Sequence, residues 1–462
     1  MAEESSAPSR RRRRGLCAQK QAANNARVRA QRSRVGQRRR TLYVWAFGLA
    51  TLLTLLSVST LNQTALDRLT PLVFDAYQRF QPRLEAGAPV VIVDVDEESI
   101  RILGQWPWPR PVLARMIDRL GDLGAATVAF DMVFSEKDRT SLSEVARDLQ
   151  EAGATVILPA GQANLDNDAV LAEAFTRNNV TAGFVVSNET AGALSKPKAG
   201  FSFAGVDPQE FLTTFEGGVT NLPILNEAAT GLGFFSFPPT RDGVVRAIPI
   251  VARAQDLLFP SLALEALRVA QGAGSYIIRS TGASGEADTG APAMTGLKVG
   301  AIEVPTGPFG EMWIYFSGMP TLATVSAATL LNPDESGGLE AAVSGRIVLV
   351  GSSAVGLRDL VATPLEASTA GVRVHAEIID QVLSGTFLTR PDWAKGAEII
   401  AALFLGILLL FSEQRAGALI SADRQIVRAA RLRIFQLQGW QNNLPARLLG
   451  QTFVVFPDRS QN

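Results

Sequence analysis

Apolar and polar positions fall into a clear order over residues 90–136, VVIVDVDEESIRILGQWPWPRPVLARMIDRLGDLGAATVAFDMVFSE. Val90-Val91-Ile92-Val93 is an unbroken β-branched run, which predicts a strand buried on both faces. It closes on Asp94 and Asp96, and a loop carrying Trp106-Pro107-Trp108-Pro109 follows. Pro111 suits the first turn of a helix, where no backbone N–H is needed. In that helix Val112, Leu113, Met116, Ile117, Leu120 and Leu123 share one face, and Arg115, Asp118, Arg119 and Asp122 share the other. Gly124 suits its C-terminal cap. A second apolar strand, Thr127 to Phe130, ends on Asp131. Strand, crossover helix and strand make a βαβ unit with parallel neighbours.

The alternation continues downstream. Ser141 to Ala152 and Asp168 to Arg177 read as helices, and Ala154 to Pro159 and Val180 to Ser187 as strands. Such repetition predicts an α/β fold: a largely parallel sheet with helices on both faces. Lys196 to Asn226 is mixed and Gly/Pro-punctuated, a covering excursion. Gly231 to Phe237 and Val244 to Val251 are expected to pair as antiparallel strands across the turn at 238–243. Leu262 to Val269 reads as a helix, and Gly272 to Gly296 as a loop interrupted by a short Tyr276-Ile277-Ile278 strand. Met312 to Phe316 and Arg346 to Val350 return to strands, and Gly371 to Ser384 is a helix ending near Gly385.

Two apolar segments flank this region. Leu42 to Leu61 is twenty residues without a charge, enough to span about 30 Å of hydrocarbon at about 1.5 Å per residue. It reads as a signal anchor over 42–61. Ile399 to Ser412 is charge-free for only fourteen residues, and a start at Ala394 gives a second span over 394–412. A buried core helix is the alternative there. Just beyond the anchor, Leu66, Leu69, Val73, Tyr77 and Phe80 fall at helical spacings, with Pro71 marking a kink or restart. That stripe either packs on the domain or pairs with a second copy of the chain.

Charge sharpens the division. Formal net charge is +0, yet residues 1–40 carry thirteen Lys/Arg against two Asp/Glu, and residues 413–462 seven against three. Residues 41–412 are left with a net −15. Basic ends around an acidic middle place both termini on the cytoplasmic side of a cell (inner) membrane and residues 62–392 outside, periplasmic or extracellular. Residues 1–40, without periodic apolar positions, read as a basic disordered segment rather than a nucleic-acid arm.

Candidate chemistry is sparse. Asp94 and Asp96 form a D-x-D at a strand end, where ligands of open α/β sheets bind. Asp131 ends the next predicted strand. A magnesium-dependent phosphohydrolase would use such acids as nucleophile and ligand. The plainer reading has them capping a turn or pairing with Arg110 or Arg101. Gly351-Ser352-Ser353 follows a strand and offers backbone N–H groups to an anion, or simply turns the chain; Arg358 lies in the same loop. The ligand-contact candidates are therefore Asp94, Asp96, Asp131, Arg110, Ser352 and Arg358. His375 is the single histidine and Cys17 the single cysteine, so zinc, Ser-His and disulfide chemistry lack their residues. No cofactor, metal or catalytic residue is assigned.

V-I-V-D-x-D-E-E-S, L-G-x-W-P-W-P-R and A-F-D-x-x-F-S-E resemble motifs of the second class of CHASE domains, the cyclase/histidine-kinase-associated sensory extracellular domains. Further matches are G-L-G-F-F at Gly231, D-G-V-V-R at Asp242, P-S-L-A-L at Pro260, G-R-I-V-L-V-G-S-S at Gly345 and G-V-R-V-H-A at Gly371. Trp106, Trp108, Asp242, Gly243, Arg246 and His375 are the motif residues expected to be structural. The resemblance spans Leu66 to Pro391 and implies an extracytoplasmic sensor domain flanked by transmembrane helices, with an unidentified ligand. Residues 413–462 hold no nucleotide-binding fingerprint. The expected function is sensing, relayed to a separate cytoplasmic signalling protein, with the lipid bilayer and a second copy as further partners and no nucleic acid. A cyclase or histidine kinase that has lost its output domain is the alternative, and the Asp94/Asp96 phosphohydrolase a second one.

Overall fold

The computed structural model describes residues 45–46, 48–50, 70–84, 87, 89–156, 165–189, 192–238, 240–284, 291–318, 322–332, 337–354, 357, 360–388, 393–394 and 396–408. The chain divides into two compact units, Arg68–Thr389 and a second formed by Met1–Asp67 with Arg390–Asn462. In the second unit the described residues 45–46, 48–50, 394 and 396–408 are helical. No helix among the described residues is long and apolar enough to cross a membrane. Most of the expected anchor at 42–61, the end of the expected span at 394–412, and the segments 1–40 and 413–462 lie outside the described residues.

Arg68–Thr389 is built on one sheet. Its strands are β1 (Val90–Val95), β2 (Thr127–Phe130), β3 (Val180–Ser187), β4 (Gly217–Val219), β5 (Gly231–Phe234), β6 (Ala323–Ser326) and β7 (Ile347–Ser352). The order is β6-β1-β7-β2-β3, with β5 and β4 sharing the outer edge of β3. Every pairing is parallel except that of β4. β1 and β2 are parallel, as a βαβ unit requires, but β7 is inserted between them.

Helices cover both faces. The labelled ones are α1 (Thr70–Phe80), α2 (Glu97–Leu103), α3 (Arg110–Asp122), α4 (Leu142–Glu151), α5 (Asn167–Arg177), α6 (Leu262–Ala270), α7 (Ala327–Leu331) and α8 (Gly371–Ser384). Strand alternation decides which side chains meet which helices. Val91, Val93, Val95, Val128 and Phe130 face the core made with α3, α5 and α7. Val90, Ile92, Ala129, Ile347 and Leu349 face the core made with α6 and α8. Gly351 has no room for a Cβ against Val372, so α8 lies directly on β7. Gly385 ends α8 in the left-handed conformation, at φ 67°.

Three expectations are corrected. Gly231 to Phe237 and Val244 to Val251 do not form a hairpin. β5 joins β3 in parallel, while Ala247–Pro249 pairs with Glu311–Trp313, and Val251–Ala254 with Leu257–Pro260. A tight turn favours the local partner, but burial of Leu232 and Phe234 in the main core outweighs it. The residues after Asp96 hold the helix α2 before the tryptophan loop, with Asp96 as its N-cap. Lastly, α1 does not pack its Val73-Tyr77-Phe80 stripe on the domain; those side chains are exposed, and Asp75 and Gln78 are the buried ones.

The Trp106-to-Arg110 loop is fastened to the core. Trp108 is 2% exposed, and its Nε1 donates to the Gly104 carbonyl at 2.8 Å. Trp106 packs edge-on against it, centroids 5.1 Å apart. The loop therefore fixes the entry angle of α3, whose Leu113, Met116, Ile117 and Leu120 are buried. We expect Trp108→Ala to lower unfolding free energy by about 3–5 kcal/mol, the range for large aromatic truncation. Denaturant unfolding reads this, and an unchanged midpoint would refute the clamp.

Candidate functional site

The carboxyl ends of β6, β1 and β7 bring the D-x-D and the Gly-Ser-Ser motif together. Asp94 pairs in register with Gly351 on one side and Ser326 on the other. Its carboxylate accepts from the Ser353 backbone N–H at 2.8 Å and from Ser353 Oγ at 2.6 Å. Burial raises the Asp94 pKa against the lowering effect of those two bonds. Ser353 itself is exposed, so this carboxylate lies at the surface edge of the sheet.

Asp96 is committed to α2. It accepts from the Ser99 N–H at 2.8 Å and from Ser326 Oγ at 3.1 Å. Burial pushes its pKa up, but the bonds from Ser99 and Ser326 outweigh this and hold it below the ordinary value. Ser99 and Ser326 hydroxyls lie 3.0 Å apart, and Ser99 Oγ accepts from the Ala328 N–H, which ties α7 to α2. Ser352 Oγ donates to the Val95 carbonyl and accepts from the Ala354 N–H. The N–H groups of Ser353 and Ala354 thus already have acceptors, in keeping with the turn weighed for Gly351-Ser352-Ser353 beside the anion cradle.

The other candidates lie elsewhere. Arg110 donates from Nε to Asp168 at 3.0 Å and from a terminal nitrogen to the Glu136 carbonyl, and it stacks on Phe134. Arg101 pairs with Glu98 at the surface. Neither reaches Asp94 or Asp96, which corrects the pairing weighed from sequence. Asp131 is buried toward α8, its Oδ1 3.8 Å from His375 Nε2. Arg358 lies outside the described residues. Among the described residues no group of three His, Cys, Asp or Glu could hold a metal ion.

The Asp242 motif is a clamp. Asp242 Oδ1 accepts from the Val244 N–H across a turn in which Gly243 has φ 72°. Arg246 holds Asp242 with two nitrogens and Asp75 of α1 with two, at 2.6–3.1 Å. The guanidinium pulls the Asp242 pKa down to about 2.

Sequence reading missed the heaviest cluster. Arg83, 3% exposed, donates to Glu377 at 2.7 Å, to Asp380, and to the Tyr315 carbonyl at 2.8 Å. Glu377 also accepts from Ser317 Oγ. The available signal was Glu377 and Asp380 among the apolar positions Val374, Ile378, Ile379 and Val382 of one helix, since buried acids require a cation. Its position, almost three hundred residues upstream, was not legible.

A family model for the CHASE2 domain matches residues 49–411. No curated protein and no solved structure matches the chain.

His375 gives this region a pH signature. Burial lowers its pKa to about 4, and Nε2 lies 3.3 Å from the Phe235 carbonyl beneath the Phe237 ring. The unfolded chain protonates near 6.5, so between about 4 and 6.5 it binds more protons than the folded one. Stability contributed by neutral His375 is full above that window and is lost as pH falls through it, by about 3 kcal/mol. Urea midpoints at pH 7.5 and 4.5 should converge in His375→Gln relative to the parent. Parallel pH dependences would show that His375 titrates normally.

Proposed function

The chain belongs to the CHASE2 domain family, a sensory extracellular domain of signal-transduction proteins, and from that premise we propose that it is a membrane-anchored sensor. In this reading residues 62–392 lie outside the membrane, held by 42–61 and 394–412, with both termini in the cytoplasm. Ligand or partner binding shifts the domain, and the shift passes through the flanking segments to a separate signalling protein. The segregated charge supports the topology. So do the exposed Ile400, Phe404, Leu405 and Leu408 along the helix at 394–408.

The observation that carries the relay is the buried tie between the entry and exit of Arg68–Thr389. Arg83 follows α1, and Glu377 and Asp380 lie on α8, the last helix of the unit. Gln78 of α1 donates to the Ile314 carbonyl, and Gln381 of α8 donates to the Trp313 carbonyl on the adjoining segment. Movement of α8 against the sheet therefore moves the start of the unit with it. The engaged state of Asp94 and Asp96, each bonded within the fold, supports a structural role for both rather than a catalytic one.

Two measurements test the reading. Alkaline phosphatase inserted between Gly282 and Ala283 should be active and a cytoplasmic reporter there inactive; the reverse pattern would sink the topology. Arg83→Met leaves Glu377 and Asp380 buried without their cation and should cost about 3–5 kcal/mol. Adding Glu377→Gln and Asp380→Asn should recover most of that loss. A parental denaturation midpoint in Arg83→Met alone would remove the tie on which the relay rests.

A further inference from the structure

α1 is turned inside out. Its polar Asp75 and Gln78 are buried, while Leu72 (64%), Val73 (66%), Tyr77 (68%) and Phe80 (90%) are exposed, with Leu84 (88%) just beyond. The orientation is fixed from within. Asp75 is held by Arg246, Gln78 bonds both Ile314 and Phe316, Phe74 packs on Trp313 at 4.9 Å, and Arg79 donates to the Pro364 carbonyl. Rotation to bury the stripe would strip a buried arginine of one of its two carboxylates. The apolar face is thus held away from the rest of Arg68–Thr389, already ordered, so little conformational entropy is lost on covering it.

We propose that this face is the seam through which two copies of the chain pair, α1 against the α1 of the second copy. Val73, Tyr77 and Phe80 are spaced by four and then three residues, the spacing of a two-helix seam. Lipid is the poorer occupant. A surface-bound helix carries Lys and Arg along its polar flank. Arg79 is the one cation in α1, and its Nε is already bonded. The net −15 of residues 41–412 also sets the domain against an anionic bilayer.

Area then fixes how such a pair is held. Five exposed apolar side chains offer on the order of 500 Å² per copy, against about 800 Å² in a standard interface. Free domains would associate weakly. Copies confined to one membrane meet at an effective concentration near the millimolar range, where a small apolar seam suffices. Here the inference rests on the membrane topology proposed above. A shared membrane allows only a two-fold axis along its normal, so the two α1 faces meet across that axis and the stripe residue nearest to it meets its own counterpart.

The test uses the full chain in its own membranes, with Cys17→Ser as background and single cysteines at Val73, Tyr77 or Phe80. Thr295→Cys, exposed on a distant strand, is the control. Under mild oxidation, Tyr77→Cys and its neighbours on the stripe should give about tenfold more disulfide-linked dimer than the control, since a bridge needs Cα atoms within about 7 Å. Tyr77→Asp should abolish the cross-link at Phe80→Cys. Equal yields on the stripe and at the control overturn the pairing. Quenching of a fluorophore on Tyr77→Cys by brominated lipid, without cross-linking, assigns the face to lipid and also overturns it. A membrane-impermeant thiol reagent on intact cells scores topology separately. Failure to label Thr295→Cys sinks the topology, whereas labelling without cross-links sinks the pairing alone.

Discussion

A guanidinium taken out of water must bring its counter-charge with it, and this fold is closed by that requirement. Four arginines are buried among the described residues: Arg83, Arg110, Arg246 and Arg268. Each meets a carboxylate, and three of the four join segments far apart in the chain. Arg83 joins the segment after α1 to α8, Arg246 joins α1 to the Asp242 turn, and Arg110 joins α3 to α5. Arg268 acts locally with Glu265, whose other bonds reach Tyr276 and the Leu232 N–H, so α6 is tied to β5. Such pairs add little net stability over apolar packing, but losing one partner is costly. They act here as registration points, because a wrong docking of α1 or α8 would leave a naked charge inside.

The sheet could be read from the sequence where its signals were local. β1 followed from its unbroken β-branched run, β2 and β3 from short apolar runs between helical patterns, and α8 from its periodicity and the glycine after Ser384. Pairing was not legible, because it joins residues far apart. β5 found β3 rather than the nearby 244–251 segment, since its Leu232 and Phe234 complete the core that β3 shares with α3 and α5, while Gly231 and Gly233 let it lie against α6. α2 escaped because its seven residues, EESIRIL, are too short and too charged to show a period. Its one clear mark was Asp96 ahead of two glutamates, which is also the D-x-D that invited a catalytic reading.

The site was half visible. Asp94 and Gly351-Ser352-Ser353 stood out separately, and the fold places them against each other across 259 residues. The company expected for them does not come. Arg110 points into the α3–α5 side, and Asp131 is enclosed beneath α8. The face a strand residue points to depends on parity, and the level it occupies depends on register. A cluster assembled from strand ends by sequence alone assumes both. Here Asp94 met Ser353 rather than the candidate Ser352, whose hydroxyl is bonded to the Val95 carbonyl and the Ala354 N–H, and neither Arg110 nor Asp131 joined them.

The strand order also dictates when the molecule can become itself. β1 is the first strand made, yet both its neighbours, β6 and β7, come from residues 323–352. Until more than two hundred further residues have emerged, the VVIVDV segment has two bare edges and two uncovered apolar faces. A nascent chain in that condition is a template for intermolecular strand pairing. Long-range parallel pairing of this kind also closes slowly. The domain cannot be laid down piece by piece as it is synthesised. It must be kept apart from its siblings until residues 323–384 arrive, and any fragment ending before β6 inherits an adhesive core in place of a fold.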